Sequence, residues 1–361
     1  MSAFAYPWLV ADVGGTNARF GLVTSPGARP SHVAVLAGAE HRGLPEAVAA
    51  YLADHAGGAR PGAACLALAG PVDGDRYALT NLPWSGSARD LGVPEVALLN
   101  DFEALAVSLP HLEGDDLAPL GGPPPADGVK AVLGPGTGLG VAGLVPVDGG
   151  WVPVPGEGGH VTLPVQDERE LEVLRVLRRA HMPGVPGGQV VAEHVLSGPG
   201  LVRLYRALAE VRGVPPVEDT ASAIVSRADD PLCAETVEVF CGLLGSFAGN
   251  VALTLGARGG VYLGGGVLPR IADRVRTGPF RARFATNPDM AEYLSAIATS
   301  LIVAPQPALT GAAVRARAHG PAVARCSPLS AVPSPPAVRP LPTARSWSRL
   351  RRRNGRCRRR R

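Results

Sequence analysis

Lysine is nearly missing from this chain. Lys130 is the one example among 361 residues, and the other 34 basic side chains are arginines. That excludes the Gly-Lys-Ser/Thr step of a Walker A loop and the strand lysine of a protein kinase, because Lys130 sits in neither context. Cysteines are few as well, at 65, 233, 241, 326 and 357, with no CxxC pair and no His/Cys spacing suited to structural zinc. The apolar settings of Cys65 and Cys241 read as core thiols. The opening MSAFAYPWLVADVGG has no basic stretch followed by a cleavable apolar run, so no secretory leader is read and a cytoplasmic location is expected. Residues 239–257 carry no charge and are long enough to cross a membrane. Asn250 and four glycines thin their apolar density, so a buried helix is the expectation and no membrane partner is read.

Acidic residues are absent from 315 to 361, a stretch holding 14 arginines. The formal charge of +4 therefore hides a body, residues 1–314, of net −10. An acidic body argues against a nucleic-acid surface, which needs clustered cations. Residues 319–361 are rich in Pro and Arg, without acids or periodicity, and are expected to be a disordered tail. Such a tail could bind nucleic acid or anionic surfaces. An out-of-frame reading of a GC-rich gene would have the same composition, and the tail is read as inert.

What remains is a cored globular protein, 46% hydrophobic and 18% charged, of a length suited to two domains. Trp8 to Val13 reads as a strand that turns at Gly14-Gly15-Thr16-Asn17 into a second strand, Arg19 to Val23. His32 to Ala37, Ala63 to Leu68 and Val96 to Asn100 read as further strands, with helices over Pro45–His55 and from Asp101 through Ser108. After the Pro/Gly cluster 121–128 the design repeats, as strand Lys130–Leu133, glycine turn 134–140 and strand Val141–Val147. Helices follow over 167–180, 199–212, 219–227 and 231–257, then strands 260–263 and 301–304 and a short helix from Ala308. Two such units imply a duplicated α/β architecture with a cleft between the halves.

Three glycine-rich turns could cradle phosphate through bare backbone N–H groups. In the first, Asp12-Val13-Gly14-Gly15-Thr16-Asn17, a carboxylate suited to hydrated Mg²⁺ sits beside a hydroxyl. The second is Gly134-Pro-Gly136-Thr137-Gly138-Leu-Gly140, and the third runs from Gly259 through Gly265 and Gly266 to Arg270. Each alone is equally a tight turn. Asp101, beside Asn100 at a strand end, suits a site carboxylate, but taken alone it suits a helix cap better. Glu157 and His160 flank two glycines in PGEGGH, a grip suited to vicinal hydroxyls or else an exposed turn. Glu193 alone would be a solvated helix residue.

The segments DVGGTNARF (12–20), LLNDFEALA (98–106), GPGTGLGVA (134–142), PGEGGHV (155–161), AEHVLSGPGLVRLYRAL (192–208) and GGVYLGGGVLPR (259–270) together resemble the bacterial ATP-dependent glucokinase family. That family lies within the actin-like ATPase/hexokinase superfamily, and the likeness is collinear from about residue 8 to about 318. It implies an α/β fold of two RNase H-like domains around an interdomain cleft. The smaller would span 1–110 completed by 302–318, and the larger 111–301. It implies transfer of the ATP γ-phosphoryl group to the 6-hydroxyl of glucose, with Mg²⁺, by a homodimer. Asp101 would be the general base, and Asn100, Asp101, Glu157, His160 and Glu193 the glucose ligands. Ala11, Asp12, Val13, Gly14, Gly15, Thr16, Gly136, Thr137, Gly138, Gly265 and Gly266 would lie at the nucleotide. The cysteine-rich zinc motif of the repressor–kinase group is absent, which disfavours that neighbouring family. A kinase for another hexose and a non-catalytic sugar-sensing regulator are the competing readings.

Overall fold

The computed structural model describes residues 6–181, 188–227 and 229–318. The tail expected from residue 319 lies outside them.

Trp8–Val13 (β1) and Asn17–Val23 (β2) form the expected antiparallel hairpin, and Ser31–Ala37 (β3) pairs with the far side of β2. Leu44–Asp54 (α1), with Pro45 in its first turn, leads to Ala63–Leu68 (β4), which runs parallel to β1. A small three-stranded sheet, unforeseen because its strands are so short, follows as Val72–Asp73 (β5), Arg76–Ala78 (β6) and Ser85–Ser87 (β7). Glu95–Asn100 (β8) lies parallel to β4 and runs directly into the helix Asp101–Ser108 (α2). The first large sheet has the order β3-β2-β1-β4-β8. Its registers set Val13, Leu68 and Asn100 level at the carboxyl ends of three adjacent parallel strands. Ligands of open α/β sheets bind outside that edge.

The second sheet begins with Leu117–Gly121 (β9), Lys130–Pro135 (β10), Leu139–Val147 (β11) and Gly150–Gly156 (β12). Helices Glu168–His181 (α3), Gly198–Arg212 (α4), Ala221–Ser226 (α5) and Pro231–Leu255 (α6) come next. Val261–Leu263 (β13) is followed by three short helices, Ala272–Thr277 (α7), Phe280–Ala285 (α8) and Ala291–Ser295 (α9). Thr299–Ile302 (β14) and Pro307–Ala318 (α10) complete the described chain. The sheet order is β12-β11-β10-β13-β14-β9, and β10 and β13 are parallel with Leu133 level with Leu263. The glycine turn is tighter than the sequence implied: Gly134 pairs with Gly140 and Pro135 with Leu139, so Gly136-Thr137-Gly138 alone makes the bend. The last strand starts at Thr299, two residues before Leu301, because its first residues pair with β13 and β9.

Alternation along β1 divides the first core. Leu9, Ala11 and Val13 pack toward α1, whereas Trp8 and Val10 pack with Leu309, Ala312 and Ala313 of α10. Helix α2 is shared: Ala104 joins the α10 layer, while Leu105, Ala106 and Val107 pack on Val132, Ala142 and Tyr262 of the second sheet. The uncharged helix α6 is long and apolar enough to cross a membrane, but most of its surface is buried within the protein. Its Gly245 and Gly249 lie against the backbone carbonyls of Phe280 and Phe284 in α8. Lys130 is fixed where β10 begins. Its ammonium donates to Gly259 O and Tyr262 Oη, both at 3.2 Å, and lies 5.5 Å from the centre of the Trp151 ring.

Candidate active site

The carboxyl ends of both sheets face one open cleft of about 640 Å³. Asn100, Asp101, Glu157, His160 and Glu193 line it together with Gly136, Thr137, Gly138, Gly265 and Gly266. Residues from Asn100 to Gly266 are thereby brought together.

Asp101 is the first residue of α2, and the cap is its neighbour. Asn100 Oδ1 accepts from Phe102 N at 2.9 Å, and Asp101 Oδ1 accepts from the same N–H at 3.0 Å. The helix start is therefore satisfied without requiring Asp101, which answers the bland reading of that carboxylate. Burial pushes the Asp101 carboxyl up to about 6, and the negative charge of Asp12 adds to the rise. Hydrogen bonds from the backbone N–H groups of Phe102 and Asp101 oppose it. Asp12, at the end of β1, is likewise raised by burial, against the pull of the Arg19 guanidinium 3.4 Å away. A buried carboxyl whose proton affinity is raised further by the charge of a second carboxylate marks a place where a cation is favoured.

The sugar-grip candidates come from other elements. Glu157 follows β12, and its carboxylate lies 3.8 Å from His160 Nε2 across the turn that Gly158 and Gly159 permit. Both side chains are open to the cleft solvent, at 89% and 56% exposure. Glu193 is tethered, its Oε2 accepting from Leu139 N at 2.8 Å. Ser197 Oγ donates to Glu193 O and caps α4 by accepting from Gly200 N. Gly198 N then donates to Gly136 O at 2.8 Å, joining the start of α4 to the glycine bend.

Of the first glycine segment, Ala11 and Val13 have fully buried side chains within β1. Gly14 N closes the hairpin on Asn17 O. Sequence reasoning did not single out Ala69, Gly70, Pro71, Thr80, Asn81 or Phe102, all of which line the cleft. The sharp Ala-Gly-Pro end of β4 was the available signal for the first three. For Thr80 and Asn81 there was none, because their place depends on the turn between β6 and β7. That turn is fixed by Leu79 N donating to Trp84 O and by the buried Trp84, whose Nε1 donates to His41 O at 3.2 Å.

Glucokinases stand among the similar proteins in each comparison. A family model described as Glucokinase matches residues 9–319. The glucokinase of Aromatoleum aromaticum is 46% identical over 316 residues, 85% of this chain and 94% of that one. The glucokinase of Saccharophagus degradans is 45% identical over 322 residues, covering 86% and 98%. Among solved structures, a glucokinase from an Antarctic psychrotroph superposes with TM-score 0.77 at 34% identity, over 86% of this chain and 99% of that one. A glucokinase from Balamuthia mandrillaris in complex with glucose, at TM-score 0.72 and 21% identity over 86% and 93%, shares the fold.

Proposed function

The chain belongs to the glucokinase family, and on that premise we propose that its cleft carries ATP-to-glucose phosphoryl transfer with Asp101 as the proton acceptor. The products are glucose 6-phosphate and ADP. One observation carries the assignment: a carboxylate of raised proton affinity begins α2 in the same cleft as the Gly136–Gly138 bend and the Glu157, His160 and Glu193 side chains.

A sugar hydroxyl is a weak nucleophile at neutral pH, so its proton must have somewhere to go. Asp101 accepts it as O6 attacks the γ-phosphorus, the bond to the β-phosphate oxygen breaks and ADP departs. With a pKa of about 6 the group is mostly ionised at pH 7, yet more basic than an ordinary carboxylate. Asn100, Glu157, His160 and Glu193 hold the sugar hydroxyls, which orients O6 toward Asp101. The Gly136–Gly138 bend, the Gly265-Gly266 turn and the segment 11–16 cradle the nucleotide. Asp12 is the carboxylate that would hold an Mg²⁺ ion, since hard oxygen ligands with phosphates and water complete such a shell. When bound, that ion supplies charge neutralisation at the phosphates.

We assign residues 1–110 with 302–318 to one domain and 111–301 to the other, supported by the two sheets that meet at the cleft. A cytoplasmic homodimer completes the proposal. Three buried cysteines, Cys65, Cys233 and Cys241, are free thiols, as suits a reducing compartment. An ADP-release assay across a panel of hexoses tests the function. Faster release with glucose than with mannose or fructose supports it, and an equal or better rate with either rival would move the assignment to a broader hexokinase.

A further inference from the structure

Asn81 occupies a position that none of the roles above uses. It lies in the turn between β6 and β7, and its backbone course is set by Thr80 N donating to Ala69 O at 3.1 Å and by the Leu79–Trp84 bond. Two of the three glycine segments meet at its side chain. On one side, a Cβ added to Gly15 would stand 2.6 Å from Asn81 Cβ, so the first glycine segment is pressed directly against Asn81. On the other side, Asn81 Nδ2 donates to Thr137 Oγ1 at 3.3 Å, reaching across the cleft to the tip of the Gly136–Gly138 bend. This is a side-chain hydrogen bond from the first half of the chain to the second, made at the place where the phosphates are assigned.

The chemistry of that bond has a direction. A hydroxyl that receives an N–H on its oxygen must place its own proton elsewhere. Thr137 lines the cleft, and the remaining space around its Oγ1 opens there. We infer that Asn81 is a positioning residue for the nucleotide, whose carboxamide turns the Thr137 hydroxyl so that it donates to a phosphate oxygen. A donor set in place beforehand avoids reorganisation when the anion arrives. The inference rests on the assignment of the nucleotide to the Gly136–Gly138 bend. Because Asn81 touches both glycine segments, it also links the two halves of the cleft on the phosphate side.

The test uses the full chain with Asn81→Ala, Asn81→Asp, Thr137→Ser, Thr137→Ala and the Asn81→Ala/Thr137→Ala double variant. Steady-state constants for both substrates are read by ADP release, and glucose affinity without ATP is read by calorimetry. Asn81→Ala should raise the KM for ATP about tenfold, the scale of one oriented hydrogen bond to a charged group. The glucose affinity should stay within about twofold, which also reports that the variant is folded. Asn81→Asp should be worse than Ala, since its carboxylate takes the Thr137 proton and repels phosphate. Thr137→Ser, which keeps a hydroxyl for Asn81 to orient, should lose less ATP affinity than Thr137→Ala. The double variant should be no worse than Thr137→Ala by more than about twofold, because Asn81 acts through that hydroxyl. An Asn81→Ala variant with unchanged ATP KM, or with the effect on glucose instead, overturns the inference, and so do additive effects in the double variant. If Thr137→Ala itself leaves the ATP KM unchanged, the nucleotide placement fails and the inference fails with it.

Discussion

Asp101 has two separable consequences, one for rate and one for stability. Asp101→Asn keeps the shape and leaves the Asn100 cap in place, yet it cannot accept the hydroxyl proton. Loss of a general base lowers kcat by about 10²–10⁴-fold. A variant retaining more than about a tenth of wild-type kcat would place the base elsewhere. The sign of the stability effect follows from the raised pKa. Between the ordinary 3.8 and about 6 the folded chain holds more protons at this site than the unfolded chain does. Stability contributed here is therefore full below 3.8 and is lost as pH rises toward 6. At pH 7 the wild type carries a charge that burial opposes, so Asp101→Asn should melt no lower than wild type while losing its rate. The same pKa predicts that kcat/KM for glucose falls about tenfold per pH unit below about 6, measurable as a pH–rate profile. Glu157→Gln should raise the glucose KM, because a hydroxyl acceptor becomes a mixed amide while the fold is untouched at so exposed a position.

At the scale of elements, α2 matters most because it lies between the two sheets and starts at Asp101. Its Phe102 ring fills the place of the missing side chain at Gly140 in β11, where an added Cβ would collide with Phe102 Cδ2. Gly140→Ala must therefore displace Phe102, and Asp101 with it. We expect kcat to fall at least about tenfold, since small misplacements of a reacting group have large effects; unchanged kcat would show that the helix absorbs the shift. A second element-scale test concerns α3 and α8. Buried Glu170 pairs with Arg283 through contacts of 2.8 and 3.0 Å. Glu170→Ala should lower stability by about 3–5 kcal/mol by leaving the guanidinium without its main partner, which a urea melt would read.

Elements dense in apolar residues, such as β1, β4 and α2, were legible from sequence nearly to the residue. Those that were not share a cause. β9 and β12 carry prolines, in LAPLG and GWVPVPG, which are tolerated there because both strands lie at sheet edges. α7 to α9 are short helices broken by Pro279 and Pro288. In the site, residues inside contiguous motifs could be read, whereas Asn81 depends on tertiary contacts that no local pattern encodes.

For the molecule as a whole, the last cleft residue is Gly266 and the helix closing the first core ends at Ala318. A chain ending at residue 320 should therefore keep wild-type kcat, and a folded but inactive truncation would show that the tail takes part in catalysis. The solitary lysine offers a different kind of experiment. A lysine-specific endoprotease can cut this polypeptide at one peptide bond, Lys130–Ala131, giving fragments of 130 and 231 residues. That bond lies inside β10, a strand paired on both sides, with its ammonium held by Gly259 and Tyr262. A protease needs an extended, unpaired segment, so cleavage waits until β10 leaves its sheet. The appearance of two bands on a gel is then a direct clock for the opening of the second sheet, and a bound nucleotide that steadies that sheet should slow it.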